Sequence, residues 1–143
     1  MTINFCEITD KEVMLKTYPL INATYEHLNY KTFESAIIEM IQYNNYKMLI
    51  AYDGEIMAGI TGFWISRMLY CGRYLQLHNL IVDKKYRNKG IGRAIINHME
   101  NLAIKLDCNK IVLDSYVENK KSHSLYFDLN YYIRGFHFMK DLK

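Results

Sequence analysis

Proline is almost absent from this chain: Pro19 is the only one in 143 residues. Little therefore interrupts regular elements after the first helix. Cysteine is scarce and odd in number, with Cys6, Cys71 and Cys108 far apart and in no Cys-x-x-Cys pair. That pattern excludes a disulfide scaffold or zinc knuckle and fits a reducing cytoplasm. His27 and His98 lack partners at ligand spacing, so no metal is assigned. No apolar run is long enough to cross a bilayer, and Met1 does not open a signal peptide. The expected protein is cytoplasmic, with no membrane partner. Charge of one sign is also lacking: 18 basic residues face 15 acidic ones, a net of +3. So mild a surplus gives no ground for expecting nucleic acid as a partner. There is no repeat, low-complexity tract or linker, and one domain over residues 1–143 is expected.

Half of the residues are hydrophobic, and their spacing sets out an order of elements. Thr2 to Ile8 alternates as a strand, and Asp10 is placed to cap a helix that Pro19 ends or bends near Tyr18. Leu20 to Leu28 reads as a further turn or two of helix. Thr32 is placed to cap a helix carrying Phe33, Ile37 and Ile41 on one face. Lys47 to Tyr52, Ile56 to Ser66 and Tyr74 to Val82 read as three antiparallel strands, the first two joined by an Asp53-Gly54 hairpin turn. Gly59 and Gly62 inside the second of them point to a bulge or to close approach of another backbone. Ile91, Ile95, Met99, Leu102 and Leu106 mark a helix face. A strand over Lys110 to Val117, a helix over Asn119 to Asp128 and an aromatic strand over Tyr131 to Met139 complete the chain. The helix between the fourth and fifth strands makes those two parallel. The sum is an α/β mixed sheet in the order β-α-α-β-β-β-α-β-α-β.

The densest information lies between Leu75 and Ile96. The run Leu77-His78-Asn79-Leu80-Ile81-Val82 leads through a charged turn to Arg87-Asn88-Lys89-Gly90-Ile91-Gly92-Arg93 and straight into a helix. Glycines one residue apart, between strand and helix, let backbone approach a ligand closely. The first amides of the helix and its dipole favour an anion there. Gly92 is followed by Arg93-Ala94 rather than Lys-Ser/Thr, which disfavours a nucleotide triphosphatase loop. A dinucleotide fingerprint needs a third glycine. Lys84, Lys85, Arg87, Lys89 and Arg93 form the one basic cluster and suit a phosphate.

Arg87, Gly90 and Gly92 instead fill the pattern Q/R-x-x-G-x-G/A, which resembles motif A of the GNAT superfamily of N-acetyltransferases. A second stretch, Asn119 to Tyr131, resembles that family's motif B, N-x-x-A-x-x-F-Y-x-x-x-G-F. Asn119 and Tyr126 match; Ser122, Leu125, Asn130 and Tyr131 replace Ala, Phe, Gly and Phe. Asn130 keeps a residue that tolerates positive φ. Gly72-Arg73-Tyr74-Leu75, Leu113-Asp114-Ser115, Ser122-His123 and His137-Phe138 resemble a bacterial subgroup whose substrate is unassigned. The resemblance implies the acyl-CoA N-acyltransferase fold, its central sheet splayed between strands 4 and 5. It implies acetyl-CoA as co-substrate, held by Leu80, Ile81, Val82, Arg87, Asn88, Lys89, Gly90, Ile91, Gly92, Arg93, Asn119, Ser122 and Tyr126. It implies a primary amine, on a small molecule or a peptide, as the acceptor. It leaves a homodimer open.

Acetyl transfer needs a base for the amine, a donor for the oxyanion and an acid for the thiolate. Tyr126 is the candidate acid, since a phenol is protonated at neutral pH; its bland reading is a core tyrosine. A backbone N–H of Leu80 or Ile81 is the donor the resemblance implies. Many relatives carry Leu-Glu-Asp-Leu where this chain has Leu77-His78-Asn79-Leu80. His78 is thus the candidate base, with an unperturbed pKa near 6.5, and equally readable as a histidine packed on the sheet. Asp114 and Glu118 read as solvated or structural carboxylates, His123 as structural, His137 as half-buried on the last strand, and Trp64 as core. The alternatives are a non-catalytic coenzyme A-binding module of the same fold and a small basic nucleic-acid-binding domain.

Overall fold

A computed structural model describes residues 1–143. The elements run β1 (Ile3–Ile8), α1 (Lys11–Leu15), α2 (Tyr18–Thr24), α3 (Tyr30–Asn44), β2 (Lys47–Asp53), β3 (Ile56–Met68), β4 (Gly72–Val82), a 3-10 turn at Lys84–Tyr86, α4 (Ile91–Lys105), β5 (Lys110–Leu113) and α5 (Lys120–Asp128). Residues 1–112 form one compact unit and residues 113–143 another.

The strands lie in the order β1-β2-β3-β4-β5, antiparallel through the first four and parallel between β4 and β5. A mixed α/β sheet forms as the sequence implies, with five of the six expected strands. Alternation along the strands gives it two buried faces. On one face Met48, Ile50, Ile60 and Ile81 pack with Met14, Leu15, Ile21, Phe33 and Ile37 of α1–α3. On the other, α4 lies over Gly59. A Cβ there would stand 3.0 Å from the Ile95 side chain and 3.3 Å from that of Ile91. The close approach of backbone expected at Gly59 is that of the Ile81 carbonyl, 3.1 Å from such a Cβ, and the helix side chains beside it seat the start of α4 on β3.

Four local expectations are corrected. Pro19 does not end a helix: it occupies the first turn of α2, where its missing N–H has no partner to lose. Asn29, not Thr32, caps α3; its side chain accepts from the Thr32 amide at 2.9 Å. Either residue type can cap, and the turn of the backbone decides. The fifth strand stops at Leu113 instead of Val117. No strand forms over Tyr131–Met139; residues 131–143 hold no regular element. The run 131–133 is apolar at consecutive positions, Gly135 interrupts it, and no neighbouring strand supplies a ladder.

Candidate functional site

The site in residues 1–112 is built along β4. Gly59 and Ile60 of β3 pair with Val82 and Ile81, but Gly62 pairs with His78. Two residues, Asn79 and Leu80, therefore stand opposite Thr61. This is a β-bulge, with Asn79 at φ 53; asparagine is among the few residues that adopt that conformation readily. Thr61 is fully buried, and its hydroxyl donates to the His78 carbonyl at 3.1 Å, which fastens the near side of the bulge. The Asn79 side-chain amide donates to the Tyr25 hydroxyl at 3.1 Å and ties the far side to α2.

Next to the bulge, the His78 ring lies on Trp64 with centroids 3.6 Å apart. The Trp64 ring also meets Tyr46 edge-on at 6.4 Å and packs against the α1–α3 core. Tyr46 is a residue that sequence reading passed over. It follows the left-handed Asn45 that closes α3, and a position just past a cap gives no sign of its neighbours. Its ring fills the space where Gly62 has no side chain. Burial first, then the neighbouring Tyr25, raises the Tyr46 pKa, so its hydroxyl stays neutral.

Downstream of the bulge, the loop from Asp83 to Gly90 is held at several points. The Asp83 amide donates to Ala58 O at 2.9 Å, and the Asp83 carboxylate accepts from the Lys85 amide at 2.8 Å. Tyr86 is buried and donates its hydroxyl to Asp53 at 2.8 Å, pinning the loop to the β2–β3 hairpin. Arg87 donates from Nε to Val82 O at 3.2 Å. Asn88 and Gly90 take φ 60 and 81, and Gly90 is the residue before α4. A Cβ on Gly90 would meet nothing within 4 Å, so its space opens outward. The first amides of a 15-residue helix follow at once; they lack carbonyl partners within the helix and attract an anion. A cavity of about 650 Å³ runs from α2 to this loop, with Lys16, Lys84 and Arg87 in its walls. A second cavity, of about 220 Å³, lies between α2, α3 and Asn79.

In residues 113–143, Asn119 precedes α5 without a side-chain capping bond. Ser122 and Tyr126 stand four residues apart on one helix face. Burial raises the Tyr126 pKa, and the Ser122 hydrogen bond partly opposes it. Asn130 takes φ 66, the left-handed turn that its sequence position requires. The His123 ring is spent on the Tyr116 carbonyl at 2.8 Å, as a structural histidine. His137 is exposed rather than half-buried, because the strand that would bury it does not form; it faces Asp114 at 3.6 Å.

A bulged strand running into a glycine loop and a helix N-terminus is the geometry that motif A calls for. The profile of the Acetyltransferase (GNAT) family matches residues 14–131. The chain belongs to the GNAT family. Among curated proteins it is similar to the uncharacterized N-acetyltransferase YhdJ of Bacillus subtilis (strain 168), 22% identical over 139 residues, covering 96% of this chain and 98% of that one. It is 30% identical over 74 residues to the thialysine N-epsilon-acetyltransferase of Sus scrofa, covering 52% of this chain and 44% of the other. A Trypanosoma brucei acetyltransferase structure shares the fold at TM-score 0.78 and 18% identity, covering 99% of this GNAT chain and 100% of that one. So does a transcriptional regulator from Bacillus halodurans C-125, at TM-score 0.83 and 14% identity over 99% and 100%. No helix of this acetyltransferase-family chain is long and apolar enough to cross a membrane.

Proposed function

We propose that this GNAT chain, acting as one domain over residues 1–143, transfers an acetyl group from acetyl-CoA to a primary amine by direct attack. The observation that carries the reading is the continuity of β4: the Asn79–Leu80 bulge and the loop before α4 lie on one uninterrupted stretch. The space beyond Gly90, the N-terminus of α4 and the cations Lys84 and Arg87 fit a diphosphate. By resemblance to the family, the residues that would hold acetyl-CoA are Leu80, Ile81, Val82, Arg87 to Gly90 of the loop, Ile91 to Arg93 of the first turn of α4, and Asn119, Ser122 and Tyr126. When bound, acetyl-CoA supplies an acyl group activated as a thioester.

The residues of the chain then divide the work. The bulge leaves both Asn79 and Leu80 outside the regular pairing, so the Leu80 amide is the donor we assign to the carbonyl oxygen as negative charge develops there. His78 takes the proton that the ammonium must lose, directly or through water. Tyr126 gives its phenolic proton to the departing sulfur. Its raised pKa keeps that proton in place at neutral pH. The C–N bond forms, the C–S bond breaks, and coenzyme A leaves as the thiol.

The test is thiol release from acetyl-CoA across a panel of amines, with Tyr126→Phe alongside. Removing the acid while keeping its ring lowers kcat by about 10²-fold or more and leaves coenzyme A affinity nearly intact by calorimetry. Equal turnover by the variant removes Tyr126 from the mechanism. Tight coenzyme A binding with no turnover of any amine favours the non-catalytic binding module.

A further inference from the structure

The second cavity identifies the kind of amine. We infer that the acceptor is a small primary amine carried on an uncharged aromatic or branched aliphatic body, seated between α2, α3 and the β4 bulge. This deepens the acyl-transfer reading above and rests on it for the reaction, though not for the binding.

Three observations carry the inference. The first is size: about 220 Å³ is room for about seven waters at ~30 Å³ each, so the buried part of the acceptor has about as many heavy atoms. That is one ring or one branched chain, and far less than a drug-sized ligand needs. The second is the wall. Ile21, Leu28, Phe33, Ile37 and Met40 line it, joined by the rings of Tyr25 and Tyr46. Surfaces of this kind favour apolar and aromatic bodies. The third is charge. The polar groups in the wall are Asn79, His27 and the two tyrosines, with no carboxylate among them. Burial keeps the Tyr46 hydroxyl neutral. The nearest acidic residue in sequence, Glu26, lines the larger cavity instead. A polyamine or an aminoglycoside brings several cations, and burying them here without a counter-charge is costly. The amine end of a one-ring acceptor lies toward Asn79, beside His78 and Leu80, where the proposed chemistry takes place.

Trp64 is the only tryptophan and its ring lies 6.4 Å from that of Tyr46, so its fluorescence reports on the cavity. The full chain at pH 8, without acetyl-CoA, is titrated with 2-phenylethylamine and with spermidine. The expected result is a saturable change with 2-phenylethylamine and binding at least tenfold weaker with spermidine. Ala36→Phe, which places a ring in the cavity wall on α3, weakens 2-phenylethylamine at least tenfold. A folding loss in that variant shows in its circular dichroism, and the comparison of the two amines on the unaltered chain then decides alone. Spermidine binding as tightly as 2-phenylethylamine, or neither amine binding, overturns the inference. Calorimetry with coenzyme A runs in parallel. Failure there strikes the acyl-transfer reading only, since the amine titration contains no coenzyme.

Discussion

Tyr46 and Gly62 occupy one shared volume: a Cβ at position 62 would overlap the Tyr46 hydroxyl and the ring edge that carries it. Tyr46 is 2% exposed, and the one space beside it is the smaller cavity it lines, so any retreat gives up its packing against Trp64. Gly62→Ala is therefore expected to destabilise by about 1–3 kcal/mol, the usual range for overpacking. Tyr46→Phe does not relieve it, because the ring itself is in the way. Tyr46→Leu does, so the Gly62→Ala/Tyr46→Leu pair falls short of additive loss in denaturant titration. Additive losses would show that the two positions are independent.

Alkaline conditions test the same tyrosine through its proton. Its folded pKa lies above the ordinary 10.0 because burial disfavours the phenolate, with Tyr25 adding to the effect. Below pH 10 both folded and unfolded chains hold the proton, and stability is unaffected. Above pH 10 the unfolded chain releases it while the folded chain does not. Stability then falls with rising pH, by up to ~1.4 kcal/mol per unit for this one group. Thermal melts between pH 9 and 11.5 should show a decline that is shallower in Tyr46→Phe. An identical slope would place the sensitivity elsewhere.

Gly90 meets two demands at once, a φ of 81 and open space beyond its Cα. Gly90→Ala strains the backbone by roughly 1–2 kcal/mol and puts a methyl where a diphosphate would approach. The expected outcome is a lower melting temperature together with weaker coenzyme A binding. Lys85→Ala in the same loop should leave the unfolding free energy within about 0.5 kcal/mol of the parent. Unchanged coenzyme A affinity in Gly90→Ala would move the phosphates to another place.

His78 can be tested by its pH profile. If it takes the amine proton, kcat/KM rises with pH along a limb that reports an imidazole. His78→Ala removes that limb and lowers the plateau by about 10²-fold, whereas a histidine that only packs on Trp64 leaves the limb in place.

Much of this architecture is legible in the residues themselves, and the exceptions have physical causes. The hairpin expected at Asp53-Gly54 turns one residue later, at Gly54-Glu55, with Asp53 still paired to Ile56; it is legible because a two-residue reversal needs positive φ, and Gly54 supplies it at 61. Gly90 marks the end of the strand-to-helix loop for a similar reason, whereas Gly92, read from the sequence as part of that loop, already lies in the first turn of α4. Asn130 carries its turn without the glycine of the resemblance. Asn79 is different: it sits in an apolar run that reads as unbroken strand, and only pairing against Thr61 reveals the extra residue. Tyr46 escapes notice because its partners, Gly62 and Trp64, come from another strand, and one-dimensional spacing cannot show them. Pro19 misleads because its effect depends on its position in the helix, and a first-turn proline is permissive. Tyr131 to Met139 misleads because strand propensity needs a neighbour to become a strand.

The bulge also changes which residues can serve one face of the sheet. Ahead of it, Gln76 and His78 share a side with Trp64; behind it, Ile81 faces the same way and joins the α1–α3 core. Side-chain parity is reversed between them, so His78 and Asn79, adjacent in the chain, both serve the α1–α3 side. A plain strand would send one of the two to the opposite side. Deleting Asn79 would leave Leu80 alone opposite Thr61 and restore simple parity with Ile81 still turned to the core, yet it would take away the side chain that lines the smaller cavity and bonds Tyr25, a loss the sheet itself would not register.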